Sequence, residues 1–455
     1  EVKFNPRTPA PDYYTELEGG MIGGRSLGSV VYDGRKLGPW FKKLRPPLEP
    51  FNAPMGLMMG PLELMHVTAA GKSLKSAWFS AKLFGGYVRD RLSHKRGTRV
   101  TMGNALAARL LRSALDAGVT LWERAPAKRL LREGNAVTGV VIEKDGREVE
   151  VRALQGVVLA TGGFSADPEM RARYFPHPEQ HQTLVPSGNA GDGLKMARDA
   201  GATMAEPNRR NAAWATVSLW KKRDGTVEKC PHFFMDLPKP GCIAVNARGE
   251  RFGDEANLEL PVAMHDTGSV PAWLICDDRF IHKYGLGLVW PGGRRRTMRK
   301  RDGYLVSAPT IAALAARLGV DAAGLEATVA KMNAYAATGK DLDFHRGDTP
   351  LDRSIGDPRV GPNPCLGPIE TAPFYAVQVF PGDVTSTAGL KVDANAQALD
   401  GRGRPIPGLY ACGLDMNSPW AGHGLGNGVY HAVNMTFGYI IANQAAARAA
   451  AVKAA

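Results

Sequence analysis

The run SPWAGHGLGNGVYHAVNMTFGY (418–439) has the make-up of a ligand cradle. Gly422, Gly424, Gly426 and Gly428 lack side chains, so the backbone there can approach a flat ligand closely. An Ala-rich helix is predicted from about Tyr430 onward, with its N-terminus facing back onto the loop. The dipole and free N–H groups of that helix favour negative charge at the loop. A flat ring system that becomes anionic on gaining electrons suits such a site. An ordinary glycine-rich turn before a helix has the same composition, so the rest of the chain must decide between them.

Several elements are predicted around this loop. In LQGVVLATGGFSADPE (154–169), Val157–Leu159 reads as a short buried strand and Thr161-Gly162-Gly163 as a tight turn. In SGNAGDGLKMARDAGA (187–202), Gly191-Asp192-Gly193 leads into a helix whose first N–H groups lack partners. GLYACG (408–413) returns to a short strand and a glycine turn. Leu106, Leu110, Leu111 and Leu115 at helical spacing predict a helix over 101–119, stopped by Gly118. VTGVVIEKDGREVEVRAL (137–154) reads as a hairpin about Asp145-Gly146. Residues from about 204 to 374 change character, with loops, basic runs and one clear helix over 321–339. The αβ segments at both ends therefore flank a different middle. This pattern predicts a nucleotide-binding domain, 1–203 and 375–455, interrupted by an inserted domain, 204–374.

Composition narrows the function classes. At ~100–200 residues per domain, 455 residues allow two to four domains, and 44% hydrophobic residues exclude global disorder. Cys230, Cys242, Cys276, Cys365 and Cys412 are scattered without a CxxC pair, which favours reduced thiols and a cytoplasmic setting. No apolar run approaches the ~20 residues a membrane span needs, and the opening EVKFNPRTPAPDYYTE has no apolar core of a signal peptide. Much of the net charge of +13 sits in KKRDGTVEK (221–229) and PGGRRRTMRKRDG (291–303), which read as solvated loops or, alternatively, as a field that attracts acidic ligands or partners. No helix-turn-helix, zinc-finger or RNP pattern accompanies the charge, so nucleic acid is not an expected partner. No metal site is expected either. His177 and His181 are four residues apart, but Pro178 between them argues against one helical face.

The motifs VVLATGGFSADPEM, GDGLKMARDAGA, VNARGERFGDEA, GLYACGLDMNS and MTFGYIIA occur in one order along the chain. In this they resemble the flavoprotein superfamily of fumarate reductase, succinate dehydrogenase and 3-ketosteroid Δ1-dehydrogenase. PDYYTELEGGMIGGRSL, GRKLGPWFKKLRPPL and GDPRVGPNPCLGPIETAPFYAVQVFPGD resemble the ketosteroid-dehydrogenase-like branch. The resemblance implies FAD as cofactor. It also implies an α/β fold with an α+β insert, in which a Rossmann-like FAD-binding domain is interrupted by a capping substrate domain. Family members open with strand–GxGxxG–helix, which is absent here. The cluster Gly19-Gly20 to Gly23-Gly24 follows no strand and is not that fingerprint. The FAD-binding domain is thus expected to be N-terminally incomplete, its opening half cut away, left out or supplied by a separate chain.

The resemblance assigns roles residue by residue. Ala127 matches the position whose backbone contacts adenine, and Ala160, Thr161 and Gly162 the turn along the cofactor. Asp192 matches a structural position near the flavin, Gly413 the turn by the ribityl chain, and Gly426 and Gly428 the loop at the flavin pyrimidine. The position after Gly413 is usually Glu or Asn. Here it is Leu414, with Asp415 as the candidate substitute. Tyr13 matches an active-site tyrosine of the ketosteroid branch, and Arg251 and Glu255 resemble the stretch that supplies a proton path in fumarate reductases. The plain alternatives are packing for Tyr13 and a surface i,i+4 pair for Arg251 and Glu255.

Two departures stand out. Ketosteroid dehydrogenases place a tyrosine at the head of a YPGPG-like loop, where this chain has Gly424. Fumarate reductases place an arginine in the same loop, and none is present here. His423, Asn427, Tyr430 and His431 surround the gap and are candidates to fill it, His423 as an acid or base. Phe233, Phe234, Tyr284 and Trp290 are candidate pocket walls. The leading expectation is an FAD-dependent oxidoreductase that makes or reduces a C=C bond beside a carbonyl or carboxylate. Its substrate would be a small molecule such as an enone, a steroid-like ketone or an unsaturated acid. The rivals are a subunit inactive without a GxGxxG-bearing chain, and a flavin carrier used only for electron transfer.

Overall fold

The computed structural model describes residues 2–7, 10–23, 25–47 and 56–454. Gly24 of the N-terminal glycine cluster and Leu48 at the end of GRKLGPWFKKLRPPL lie outside the described residues. The chain forms two compact units, Glu1–Ala10 with Gly23–Glu123, and Pro11–Ile22 with Arg124–Ala455.

In the first unit Phe4–Pro6 pairs antiparallel with Leu27–Ser29, and Tyr32–Asp33 with Arg99–Val100. The predicted 101–119 helix spans Met102–Asp116, and Gly118 just beyond it adopts φ 73°. Leu106 is on its buried face, whereas Leu110 is exposed. Tyr32, Leu37, Phe41, Val100, Ala105 and Ala108 make a small core.

The second unit carries the cofactor motifs. Ala127–Glu133, Ala136–Lys144 and Arg147–Arg152 form an antiparallel sheet. The expected hairpin turns at Asp145 and Gly146, both left-handed with φ 52° and 76°, as a two-residue turn between twisted strands requires. Val157–Leu159 runs parallel to Pro405–Ala411, in register Val157 with Leu409 and Leu159 with Ala411. Parallel strands end on the same side, so the turns after Leu159 and after Ala411 are neighbours although some 250 residues separate them. Leu159, Phe164, Leu194, Leu390 and Leu409 bury the base of this arrangement. Each such side chain contributes about 1.5–3 kcal/mol on leaving water.

Residues 204–374 contain more regular structure than loops and one helix. They supply most of a seven-stranded sheet in the order Val227–His232, Ala212–Lys221, Phe374–Ser386, Ala272–Cys276, Cys242–Val245, with Val306–Ala308 and Gln182–Thr183 also pairing with Phe374–Ser386. Cys242, Ala244, Leu274 and Cys276 face one apolar layer with Leu260, Met264 and Phe280. Ile243, Val245 and Ile275 face the other, closed by Leu314, Leu325, Val329 and Met332. Both faces are buried, so the strands read as unbroken apolar runs without the alternation that marks a half-exposed strand. The predicted helix spans Ala322–Thr338, capped by the Asp321 side chain on the Gly324 N–H and ended by Gly339 at φ 75°.

The basic run 291–303 is not wholly a solvated loop. Arg296–Arg301 is helical, and Arg299 is buried with its guanidinium 3.6 Å from the Trp220 ring centre. Among the described residues no helix is long and apolar enough to cross a membrane.

Candidate active site

The two adjacent strand ends are tied by one side chain. Asp415 is fully buried and accepts hydrogen bonds from the Thr161 N–H, the Thr161 hydroxyl (2.8 and 3.0 Å) and the Gly163 N–H (3.0 Å). Burial pushes Asp415 above its ordinary value against the pull of these donors. Its carboxylate is therefore engaged by the turn and holds the cradle from behind. Ala160 and Thr161 lie exposed at the open end of the strand, and the Gly162 carbonyl accepts from Asn189 Nδ2 at 2.7 Å.

Asp192 is exposed at the start of the Asp192–Asp199 helix. A Cβ on the next residue, Gly193, would lie 2.5 Å from the Thr161 hydroxyl, so only glycine lets this helix approach the turn. Ala127 opens its strand opposite Ile142 and is half-buried. Gly413 has φ 68°, and a Cβ there would meet Asn434 Oδ1 at 3.1 Å. That Asn434 oxygen is buried and has no hydrogen-bond partner among the described residues. Sequence reading missed it. Its signal was the i,i+4 spacing from Tyr430 on the closing helix, Val429–Ala454.

The 418–428 loop gathers the second group. The Tyr13 N–H donates to the Leu425 carbonyl (3.0 Å), and its hydroxyl donates to Asn427 Oδ1 (3.0 Å). The segment expected at the active site is thus pinned to the glycine loop across more than 400 residues. The Tyr430 hydroxyl lies 3.3 Å from where a Gly424 Cβ would be, and the Tyr13 ring lies 3.7 Å from the same point. Burial first, then Tyr13, Tyr14 and Glu259, raise Tyr430 well above the range of a free phenol. His423 Nδ1 is 3.2 Å from the Tyr14 hydroxyl, which donates to Glu259 Oε1 at 3.1 Å. Glu259 is ion-paired with Arg210 at 2.7 Å. Gly426 lies beside Asp12, Gly428 borders open space at the helix start, and His431 is exposed. Tyr14, Glu259 and Arg210 were not foreseen, since only the adjacency of Tyr14 to Tyr13 marked any of them.

Arg251 and Glu255 form a separate group and are not a surface pair. Arg251 reaches Glu255 at 2.7 and 2.8 Å and Asp341 at 2.9 Å, and Arg346 reaches Glu255 at 3.0 Å, all with nearly buried side chains. Burial opposes ionisation of Glu255, but Arg251 and Arg346 outweigh it and hold the carboxyl below its ordinary value. Glu255 faces a small cavity with Trp214, His232, Phe233 and Phe234. Phe234 in turn lies 6.5 Å from Tyr13, ring centre to ring centre. His232 is itself held by Asp236 (2.6 Å) and Ser218 (2.7 Å), a network that HFFMD signalled only by its i,i+4 His–Asp spacing.

Two expected wall residues are elsewhere. Tyr284 bonds Asp357 at 2.7 Å, and Trp290 stacks under Arg295 at 3.8 Å. His181 is bonded to Asp383 at 2.8 Å, and His177 stacks on His265. Among the described residues no group of three or more His, Cys, Asp or Glu is placed to hold a metal.

The FAD binding domain model matches residues 10–429. The chain is 36% identical over 453 residues to a 4-oxocyclohex-2-ene-1-carboxylate 5-dehydrogenase from Sinomonas cyclohexanicum, spanning 96% of this chain and 76% of that one. It is 32% identical over 460 residues to a 3-oxosteroid 1-dehydrogenase from Mycobacterium tuberculosis, with 96% and 79% covered. A solved 3-ketosteroid Δ1-dehydrogenase from Sterolibacterium denitrificans, bound to 1,4-androstadiene-3,17-dione, superposes with a TM-score of 0.89 at 34% identity, covering 98% of this chain and 82% of that one. The site fits the cofactor these matches imply. Glycines leave its turns open, and the partnerless Asn434 oxygen offers a buried acceptor beside Gly413. On residues 10–429 and on near full-length likeness to these dehydrogenases, the chain belongs to the FAD-binding domain family and is an FAD-dependent oxidoreductase acting on CH–CH bonds.

Proposed function

We propose that this enzyme desaturates the carbon–carbon bond next to a ring ketone. Its substrate is a cyclic oxo compound, either a 3-oxosteroid or a smaller oxocyclohexane or oxocyclohexene carboxylate like those the relatives are named for. The observation that carries this reading is the Tyr430 hydroxyl over Gly424, beside the Tyr13–Asn427 pair.

Tyr430 keeps its proton, so it donates a hydrogen bond to the substrate carbonyl oxygen. A polarised carbonyl makes the neighbouring C–H more acidic, and a preorganised donor supports that charge without reorganising. Asn427 orients the Tyr13 phenol at the same spot. The backbone at Ala127, Ala160, Thr161 and Gly162, with Asp192, Gly413, Gly426 and Gly428, holds FAD, while Asp415 fixes the turn. When bound, FAD supplies the hydride acceptor. Phe233 and Phe234, from the 204–374 segment, form an apolar wall that keeps water from the reacting ring. Arg251 and Glu255 stiffen that wall.

The test is to load the chain with FAD and supply 3-oxosteroids and oxocyclohexane carboxylates with an artificial electron acceptor. Acceptor reduction together with growth of an enone absorption is expected for at least one ring ketone. Flavin-bound protein that turns over none of them would remove the proposal.

A further inference from the structure

His423, Tyr14, Glu259 and Arg210 form a continuous chain of hydrogen bonds beside Gly424. His423 Nδ1 and the Tyr14 hydroxyl are 3.2 Å apart, and their rings meet edge-to-face at 5.6 Å. The Tyr14 hydroxyl donates to Glu259 Oε1 at 3.1 Å. Arg210 grips Glu259 with Nε at 3.0 and 3.2 Å and Nη2 at 2.7 Å.

The direction of this chain follows from donor counting. Glu259, paired with a guanidinium, can only accept. Tyr14 has one hydroxyl proton, and it goes to Glu259. Burial, then Glu259, push the Tyr14 pKa up to about 12, so that proton stays in place at working pH. The Tyr14 oxygen is left with lone pairs only, and His423 can bond to it only by donating from Nδ1. In the neutral imidazole Nε2 is then the bare nitrogen, and it has no protein partner among the described residues.

We propose that Tyr14, Glu259 and Arg210 fix His423 in its Nδ1–H tautomer, so that Nε2 takes the proton from the carbon next to the substrate carbonyl. This rests on the ring-ketone reading above. Removing hydrogen from a CH–CH bond releases one proton and one hydride. The proton goes to Nε2 and gives an imidazolium, which later returns it to solvent. The hydride goes to the FAD oxidant of the established activity, and the remaining electron pair becomes the new C=C bond. His423 is the catalytic base, while Tyr14, Glu259 and Arg210 are positioning residues.

The experiment is two-bond 1H–15N correlation on FAD-loaded full chain labelled with 15N-histidine, with His423→Gln used for assignment. Wild-type His423 is expected as Nδ1–H. In Glu259→Ala the Tyr14 hydroxyl loses its acceptor and donates to Nδ1, so the signal should switch to Nε2–H. Tyr14→Phe, a milder change, should also lose the Nδ1–H preference. Both variants should lose at least about tenfold in kcat/KM on a ring ketone. Wild-type His423 as Nε2–H, or a tautomer unmoved by both variants, would overturn the relay while leaving the ring-ketone reading intact. Absence of turnover on any ring ketone would sink that reading instead, and the tautomer would still decide the relay.

Discussion

The hydroxyl of Tyr430 lies 3.3 Å from the point where Gly424 would carry its Cβ. A phenol from the closing helix thus fills space that a side chain on the loop would otherwise take. Tyr430→Phe should leave folding and FAD retention unchanged and lower kcat/KM by about 10²-fold, the scale of one preorganised donor or acid. Gly424→Leu should cost as much, because its side chain would meet Tyr430 and the Tyr13 ring. Steady-state kinetics on the best ring ketone decides this, and a Tyr430→Phe enzyme with wild-type kcat/KM would dismiss the role.

Asp415 predicts a binding defect. In Asp415→Ala the Thr161 and Gly163 N–H groups lose their buried acceptor, at a cost of about 1–3 kcal/mol. Part of that cost should appear as weaker FAD retention, about tenfold for each 1.4 kcal/mol. Asp415→Asn keeps an acceptor and should fall between. Flavin fluorescence titration measures the affinity. Unchanged binding in Asp415→Ala would mean that the turn is held by other contacts.

Glu255 separates a structural from a proton-passing role. Replacing it with Gln breaks a buried carboxylate away from two guanidiniums, a change that costs about 3–5 kcal/mol. Glu255→Gln should therefore lower the urea midpoint sharply, whatever it does to turnover. The pH dependence has a definite sign. The folded carboxyl titrates below its unfolded value near 4.3, so its contribution is present above that pH and is lost as pH falls further. A Glu255→Gln protein of wild-type stability but no activity would instead restore the proton-path reading of this pair.

Much of the cofactor side was legible because its signals are local. Val157–Leu159 and the strand before Gly413 are short apolar runs ended by glycine, and both were read from a few residues. Their parallel pairing was not, since nothing near Asp415 says that its side chain turns inward to Thr161. The substrate side depends on contacts between distant segments. Tyr14 meets His423 across 409 residues, and only the fold brings Glu259 to join them. The 204–374 sheet was hidden by burial on both faces. Arg299 looked like one more solvated charge until the Trp220 ring beneath it supplied an apolar, π-rich seat.

The last prediction concerns Asp254, next in sequence to Glu255 but opposite in behaviour. Burial, then the charge of Asp352, push Asp254 above the ordinary carboxylate range, with Arg346 opposing. The folded protein therefore holds a proton that the unfolded chain releases above about pH 4. More protons bound in the folded state means that stability falls as pH rises, by up to about 1.4 kcal/mol per pH unit for each such proton. The loss should begin above the unfolded value and level off once pH passes the folded one. Asp254→Asn cannot ionise, and its amide still accepts the Ala256 N–H that Asp254 receives at 2.8 Å. The variant should match wild type at about pH 4 and be the more stable protein at about pH 8. Urea midpoints at the two pH values test this. Parallel pH dependence in the two proteins would show that Asp254 ionises in the fold as readily as it does in water.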